Sequence, residues 1–159
     1  MNEARQLLLL RHADAETPAN LEDFDRPLSQ KGHRQAAYLA SHLKAIPIDY
    51  VLCSSSVRTR ETAIPILHTR CNSMPTVVYD RHVYGAGAKG LLESISNLPP
   101  TAKTVLLVGH NPAMEDLLEI LQAHDPAGRV VRTVEKDRLG RRILLEKTAH
   151  LVDVRTKVS

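Results

Sequence analysis

Two short apolar runs constrain this chain most. Leu7–Leu10, within Gln6–Leu10, and Thr104–Val108 are continuous in apolar residues and bounded by polar ones, as expected of strands buried on both faces. The segments between them alternate strand and helix patterns. From Ser29 to about Lys44, Ala36, Ala37, Leu39, Ala40 and Leu43 recur at helical spacing, with Ser29 placed to cap the start. Ile48–Cys53 reads as a strand. The serines Ser54–Ser56 open a helix reaching about Thr69, which Pro65 should bend or shorten. Thr76–Tyr79 is a further strand, Arg81–Gly90 a glycine-containing loop, and Leu91–Leu98 a short helix stopped by Pro99-Pro100. After Thr104–Val108, Asn111 is expected to cap a helix with Pro112 in its first turn and Leu117, Leu118 and Leu121 on its apolar face. Ile143–Leu145 and His150–Val154 are expected as strands joined in a hairpin, and Asp125–Gly140 has the least periodicity.

This alternation predicts one α/β domain over residues 1–159, with three α/β/α layers around a mostly parallel sheet. At 159 residues, with 43% hydrophobic and 25% charged residues, the chain can bury a core and is not wholly disordered. No apolar run reaches the ~18–20 residues of a membrane span, and the start lacks a secretory-signal pattern. Cys53 and Cys71 are too few for a disulfide framework, so free thiols in a reducing compartment, the cytoplasm, are expected. A net charge of +3 with 3% aromatic residues argues against a nucleic-acid binder, which needs a stronger basic face and stacking surfaces.

Ligand sites of parallel α/β sheets gather at the carboxyl ends of strands. Here one end carries Arg11-His12-Ala13, a second Ser54 to Thr62 with Arg58 and Arg60, and a third Gly109-His110-Asn111-Pro112. Each has an ordinary explanation alone: a basic pair where a strand surfaces, a solvated helix face, a capped turn. Together, two arginines and two histidines at three strand ends make a pocket for a phosphoryl group. Guanidinium matches phosphate oxygens and keeps its charge, while imidazole titrates near neutrality and can attack as a neutral base. One histidine can attack phosphorus while the other donates to the phosphoryl oxygens. A metal site ranks below this, because it needs a third ligand and would set arginine charges beside the cation.

These residues resemble the histidine phosphatase superfamily, the phosphoglycerate-mutase-like fold. Arg11-His12-Ala13 is similar to its RHG/RHA signature. Leu28 to Gly32 followed by Gln35-Ala36 resembles its LTxxGxxQA helix opening, Ser54–Thr62 its SxxxRxxxT segment, and Gly109-His110 its late GH. Asp14, Arg26-Pro27-Leu28 and Gly109 to Pro112 are similar to the small bacterial phosphohistidine phosphatase branch. The likeness covers about residues 5–123.

The resemblance implies a covalent mechanism with His12 as nucleophile, Arg11, Arg58 and His110 holding the phosphoryl group, and no metal or organic cofactor. Larger relatives take a proton-donating acid from the loop after the third strand. Here Arg81–Gly90 contains none, with Asp80 before it and Glu93 in the next helix. That agrees with phosphohistidine, whose imidazole nitrogen leaves more easily than an alkoxide. The substrate implied is phosphohistidine in a partner protein. Hydrolysis of a small phosphate ester and a non-catalytic module binding a phosphorylated partner are the alternatives. A strand usual in this branch after the His110 helix has no clear counterpart, since Arg129–Thr133 is followed by the charged Glu135–Arg142.

Overall fold

The computed structural model describes residues 5–70, 73–123, 130–136 and 142–151. Its strands are β1 (Arg5–Arg11), β2 (Tyr50–Ser54), β3 (Thr76–Asp80), β4 (Thr104–Gly109), β5 (Val130–Lys136) and β6 (Arg142–Leu151). Its helices are α1 (Gln30–Leu43), α2 (Val57–His68), α3 (Arg81–Gly85), α4 (Ala88–Ser96) and α5 (Ala113–Ala123), with a 3-10 turn at Asp23–Asp25. They build the expected α/β/α arrangement around one sheet of order β3-β2-β4-β1-β6-β5. The pairs β3-β2, β2-β4 and β4-β1 are parallel, whereas β6 runs antiparallel to β1 and β5 antiparallel to β6.

Strand periodicity explains the two apolar layers. Leu7 and Leu9 of β1 face one way and pack with Leu107 of β4, Leu91 and Ile95 of α4, and Leu117 and Leu118 of α5. Leu8 and Leu10 face the other way and pack with Val108, Leu39 and Leu43 of α1, and Ala63 and Ile66 of α2. The unbroken leucine run of β1 thus reflects burial on both sides.

This topology places the site. The chain moves outward from β1 to β2 to β3 with α1 and α2 on one face. It then returns through α4 on the opposite face to insert β4 between β1 and β2. The reversal leaves a crevice at the carboxyl ends of β1, β4 and β2. Arg11 pairs in register with Gly109, and the His12 N–H donates to the Gly109 carbonyl at 3.1 Å. Both RH and GH motifs therefore emerge side by side.

Several local expectations need correction. Arg81–Gly90 is largely helical, as α3 and the start of α4: the Asp80 carboxylate accepts from the His82 N–H at 2.8 Å, and Val83 is buried, so five residues close a turn without helical periodicity. The helix expected from the serines to about Thr69 is α2, with Pro65 inside it and Thr69 at its C-cap. The Asn111 side chain does not cap α5; its buried Oδ1 has no hydrogen-bond partner, and the Met114 N–H is satisfied by the His110 carbonyl instead. Ile143–Leu145 and His150 lie on the single strand β6, and the partner in the hairpin is β5, from the segment expected to be least regular. Backbone pairing to β6, itself paired with β1, organises that charged stretch where side-chain periodicity is weak. Cys71, residues 124–129 and 137–141, and everything beyond Leu151 lie outside the described residues.

Candidate active site

Arg58 is the hub. It stands in the first turn of α2, is 5% exposed, and points its guanidinium into the crevice. Its Nε donates to His12 Nε2 at 3.3 Å and one terminal nitrogen donates to His110 Nδ1 at 3.3 Å. The other terminal nitrogen donates to the Asp23 carbonyl at 2.6 Å. Arg60, two residues on, is exposed and takes no part in this cluster. Of the serines before α2, Ser56 occupies the cap position, yet its hydroxyl bonds Thr59 Oγ1 at 2.6 Å and caps no backbone N–H.

The hydrogen bonds assign both histidine tautomers. A carbonyl oxygen only accepts, so the 2.7 Å contact between His12 Nδ1 and the Ala13 carbonyl puts the proton on Nδ1. The Nε2 lone pair is left facing Arg58. Guanidinium only donates, so His110 Nδ1 is the acceptor and its Nε2–H donates to Ser54 Oγ at 2.9 Å. The two imidazoles lie 5.3 Å apart between ring centroids. Burial, followed by neighbouring arginine charge, lowers both: each falls from 6.5 to about 4, so both are neutral bases at neutral pH.

The segment after β1 is held from two helices. The Ala13 N–H donates to Thr62 Oγ1 of α2 at 3.0 Å, and the Asp14 N–H donates to Gln35 Oε1 of α1 at 2.9 Å. Ser29 caps α1 as expected, accepting from the Gly32 N–H, and its hydroxyl also donates to Asp14 Oδ2 at 2.6 Å. A Cβ on Gly32 would lie 1.9 Å from the Asp14 carbonyl oxygen, so this position must be glycine. The LSxxGxxQ spacing is thus a clamp on Asp14, two residues after His12.

Arg11 ends β1 as an exposed residue, and its charge is felt by both histidines. With His12, Asp14, Arg26, Lys31 and Gln35 it lines a cavity of about 310 Å³. Of the four residues singled out from sequence, His12, Arg58 and His110 stand against one another, while Arg11 lines the cavity beside His12 and acts on both histidines through its charge.

Three participants were not singled out. Asp23, in the loop between β1 and α1, accepts through Oδ2 from Arg58 at 3.0 Å and from the Tyr84 hydroxyl at 2.7 Å, and through Oδ1 from Arg26 at 3.0 Å. These donors, Tyr84 foremost, hold its carboxyl well below the usual carboxylate range, and the same bond pushes the Tyr84 phenol up. Phe24 meets Tyr84 edge-on at 4.9 Å, and Arg81 lies over the Phe24 ring at 4.4 Å. No periodicity marks Asp23; the only sequence signal is its position three residues before the arginine of Arg26-Pro27-Leu28. Asp80 instead caps α3, and Cys53, wholly buried at the end of β2, donates its thiol to the Ser54 carbonyl and is pushed up to about 12 by burial. Among the described residues, no three His, Cys, Asp or Glu side chains gather as a metal-binding group, and no helix is long and apolar enough to cross a membrane.

Residues 7–81 match the histidine phosphatase superfamily, branch 1. A candidate phosphohistidine phosphatase SixA from Nakamurella multipartitia is 34% identical and superposes with a TM-score of 0.67 over 77% of this chain and 69% of its own. A second candidate SixA, from Agrobacterium tumefaciens, is 26% identical with a TM-score of 0.70 over 93% of this chain and 97% of its own. An uncharacterised protein of Mycobacterium tuberculosis is 34% identical over 114 residues, 70% of this chain and 69% of the relative. The chain belongs to the histidine phosphatase superfamily, with its phosphoglycerate-mutase-like fold, and is a phosphatase of that group.

Proposed function

We propose that this phosphatase removes the phosphoryl group from phosphohistidine in a partner protein, through a covalent intermediate on His12. The observation that carries the reading is the tautomer of His12. With Nδ1–H committed to the Ala13 carbonyl, the Nε2 lone pair faces Arg58 beside His110. In the first step Nε2 attacks phosphorus, and the bond from phosphorus to the leaving nitrogen breaks with its electron pair. The substrate ring enters protonated on its distal nitrogen, so it departs as neutral imidazole. His12, still carrying Nδ1–H, becomes a phosphoimidazolium and so remains a good leaving group. In the second step water attacks phosphorus, the pair returns to Nε2, and inorganic phosphate and a proton are released.

Arg11 and Arg58 supply fixed positive charge for the transferring group, as phosphoryl transfer requires. His110 joins them once a dianion is bound, because negative charge at Nδ1 opposes the burial and arginine effects that keep its free form neutral. SixA-type neighbours support the phosphohistidine substrate, and the free, buried Cys53 fits a reducing cytoplasm. The test is incubation with a protein ³²P-labelled on histidine. The expectation is release of phosphate, an acid-labile label on the wild-type chain, and loss of both in His12→Ala. Undiminished turnover by His12→Ala would overturn the mechanism, and turnover of phosphoserine esters in place of phosphohistidine would overturn the substrate.

A further inference from the structure

We propose that Asp23, Phe24 and Tyr84 form a leaving-group subsite built to receive a protonated imidazole, and so select N-phosphorylated over O-phosphorylated substrates. This rests on the phosphohistidine reading above and adds the residues that choose the substrate. The chain has one Phe and four Tyr, yet that Phe and one of the Tyr stand together here. Their rings continue to the catalytic pair: Phe24 meets Tyr84 at 4.9 Å, Tyr84 meets His110 at 5.4 Å, and His110 meets His12 at 5.3 Å. A planar cationic ring gains from such a wall through stacking and cation–π attraction.

Asp23 supplies the charge. Its carboxylate has about four acceptor sites. Bonds from Tyr84, Arg58 and Arg26 occupy three of them, while its side chain remains 53% exposed. An acceptor site is therefore open toward solvent, where the rest of a substrate must lie. The same three donors keep the group ionised, so it has no proton to give to a departing alkoxide. It can accept a hydrogen bond from the N–H of a phosphoimidazolium and favour that protonated form. When the bond to phosphorus breaks, the electron pair returns to the ring, the distal N–H stays in place, and no proton donor is needed. A fixed carboxylate thus assists a nitrogen leaving group and offers nothing to an oxygen one.

The experiment compares two peptides of one sequence, phosphorylated on histidine or on serine, with wild type, Asp23→Asn, Asp23→Glu and Phe24→Leu. Loss of a hydrogen bond to a charged group should lower kcat/KM of Asp23→Asn on the phosphohistidine peptide at least about tenfold more than on the phosphoserine peptide. Asp23→Glu should restore much of that preference. Phe24→Leu, which leaves the Asp23 bonds intact, should weaken it about two- to fivefold. Equal losses on both peptides would assign Asp23 to the positioning of Arg58 alone and overturn the proposal. An unchanged preference in Phe24→Leu would overturn the aromatic wall. Wild type that turns over only phosphoserine defeats the underlying phosphohistidine reading, a different outcome from wild type that prefers phosphohistidine while Asp23→Asn keeps the preference.

Discussion

Arg58 and His12 come from different strand ends, 46 residues apart, and meet with Nε 3.3 Å from Nε2. The bond parks an N–H on the Nε2 lone pair, so in the proposed mechanism the same guanidinium that orients the imidazole hands over to the phosphoryl oxygens as substrate enters. A lysine keeps the charge but not the planar fork that reaches His12, His110 and Asp23 together. Arg58→Lys should therefore lose roughly 10²–10³ in kcat/KM, the scale of one lost transition-state donor. Steady-state assays check this, and a loss under about threefold would remove Arg58 from the transition state.

Acid should leave the enzyme active unusually far down. His12 and His110 each fall to about 4, so the acid limb of kcat/KM, which reports the free enzyme, should lie near 4 and not near 6.5. Stability behaves differently over the same interval. The folded values lie below the unfolded ones, so the unfolded chain binds more protons between 6.5 and 4. Folding stability from these groups is complete above 6.5 and should decline as pH falls toward 4. Urea titrations across that range should show the decline, and His12→Asn should flatten it.

Thr62 touches no reacting atom; it holds the N–H of Ala13, the residue whose carbonyl fixes the His12 tautomer. Thr62→Val keeps the shape and leaves the Ala13 N–H without its acceptor, at a cost of about 1–3 kcal/mol. kcat should fall more than KM rises, while Thr62→Ser should recover most of the rate. A variant with lowered stability and an unaltered kcat would confine Thr62 to folding.

Gly32→Ala should be worse than its single methyl suggests. The added carbon meets a backbone oxygen that cannot swing aside, so either α1 or the Asp14 peptide must move. Overpacking of this kind costs about 1–3 kcal/mol. The melting temperature should fall and kcat with it, whereas Gly85→Ala, whose Cβ meets nothing within 4 Å, should leave both near wild type.

Cys53 should be inert in the folded protein. Its thiol is wholly buried and pushed up to about 12, leaving almost no thiolate at neutral pH. In a Cys71→Ser background, a maleimide should fail to label the native chain and label it fully in denaturant. Rapid native labelling would place the sulfur within reach of solvent.

The strand ends were readable because their logic is local. Leu7–Leu10 and Thr104–Val108 announce burial by composition, and in a parallel sheet the residues that follow such strands fall at one edge, which set His12, Arg58 and His110 against one another with Arg11 beside His12. What escaped depends on contacts distant in sequence. Asp23 matters because Tyr84, 61 residues later, donates to it, and nothing within the Asp23 segment reveals that. α3 escaped because one buried Val83 and a side-chain cap, not amphipathic periodicity, hold it. β5 escaped because an edge strand is specified by its neighbour's backbone more than by its own alternation.

The reactive apparatus rises from strands laced into the sheet interior, while Asp23, Phe24 and Tyr84 ride on short connections at the rim. On the proposed reading that division sets the choice of substrate apart from its chemistry: edits to the rim segments would change which molecule is dephosphorylated and leave the strand-end groups beneath in place.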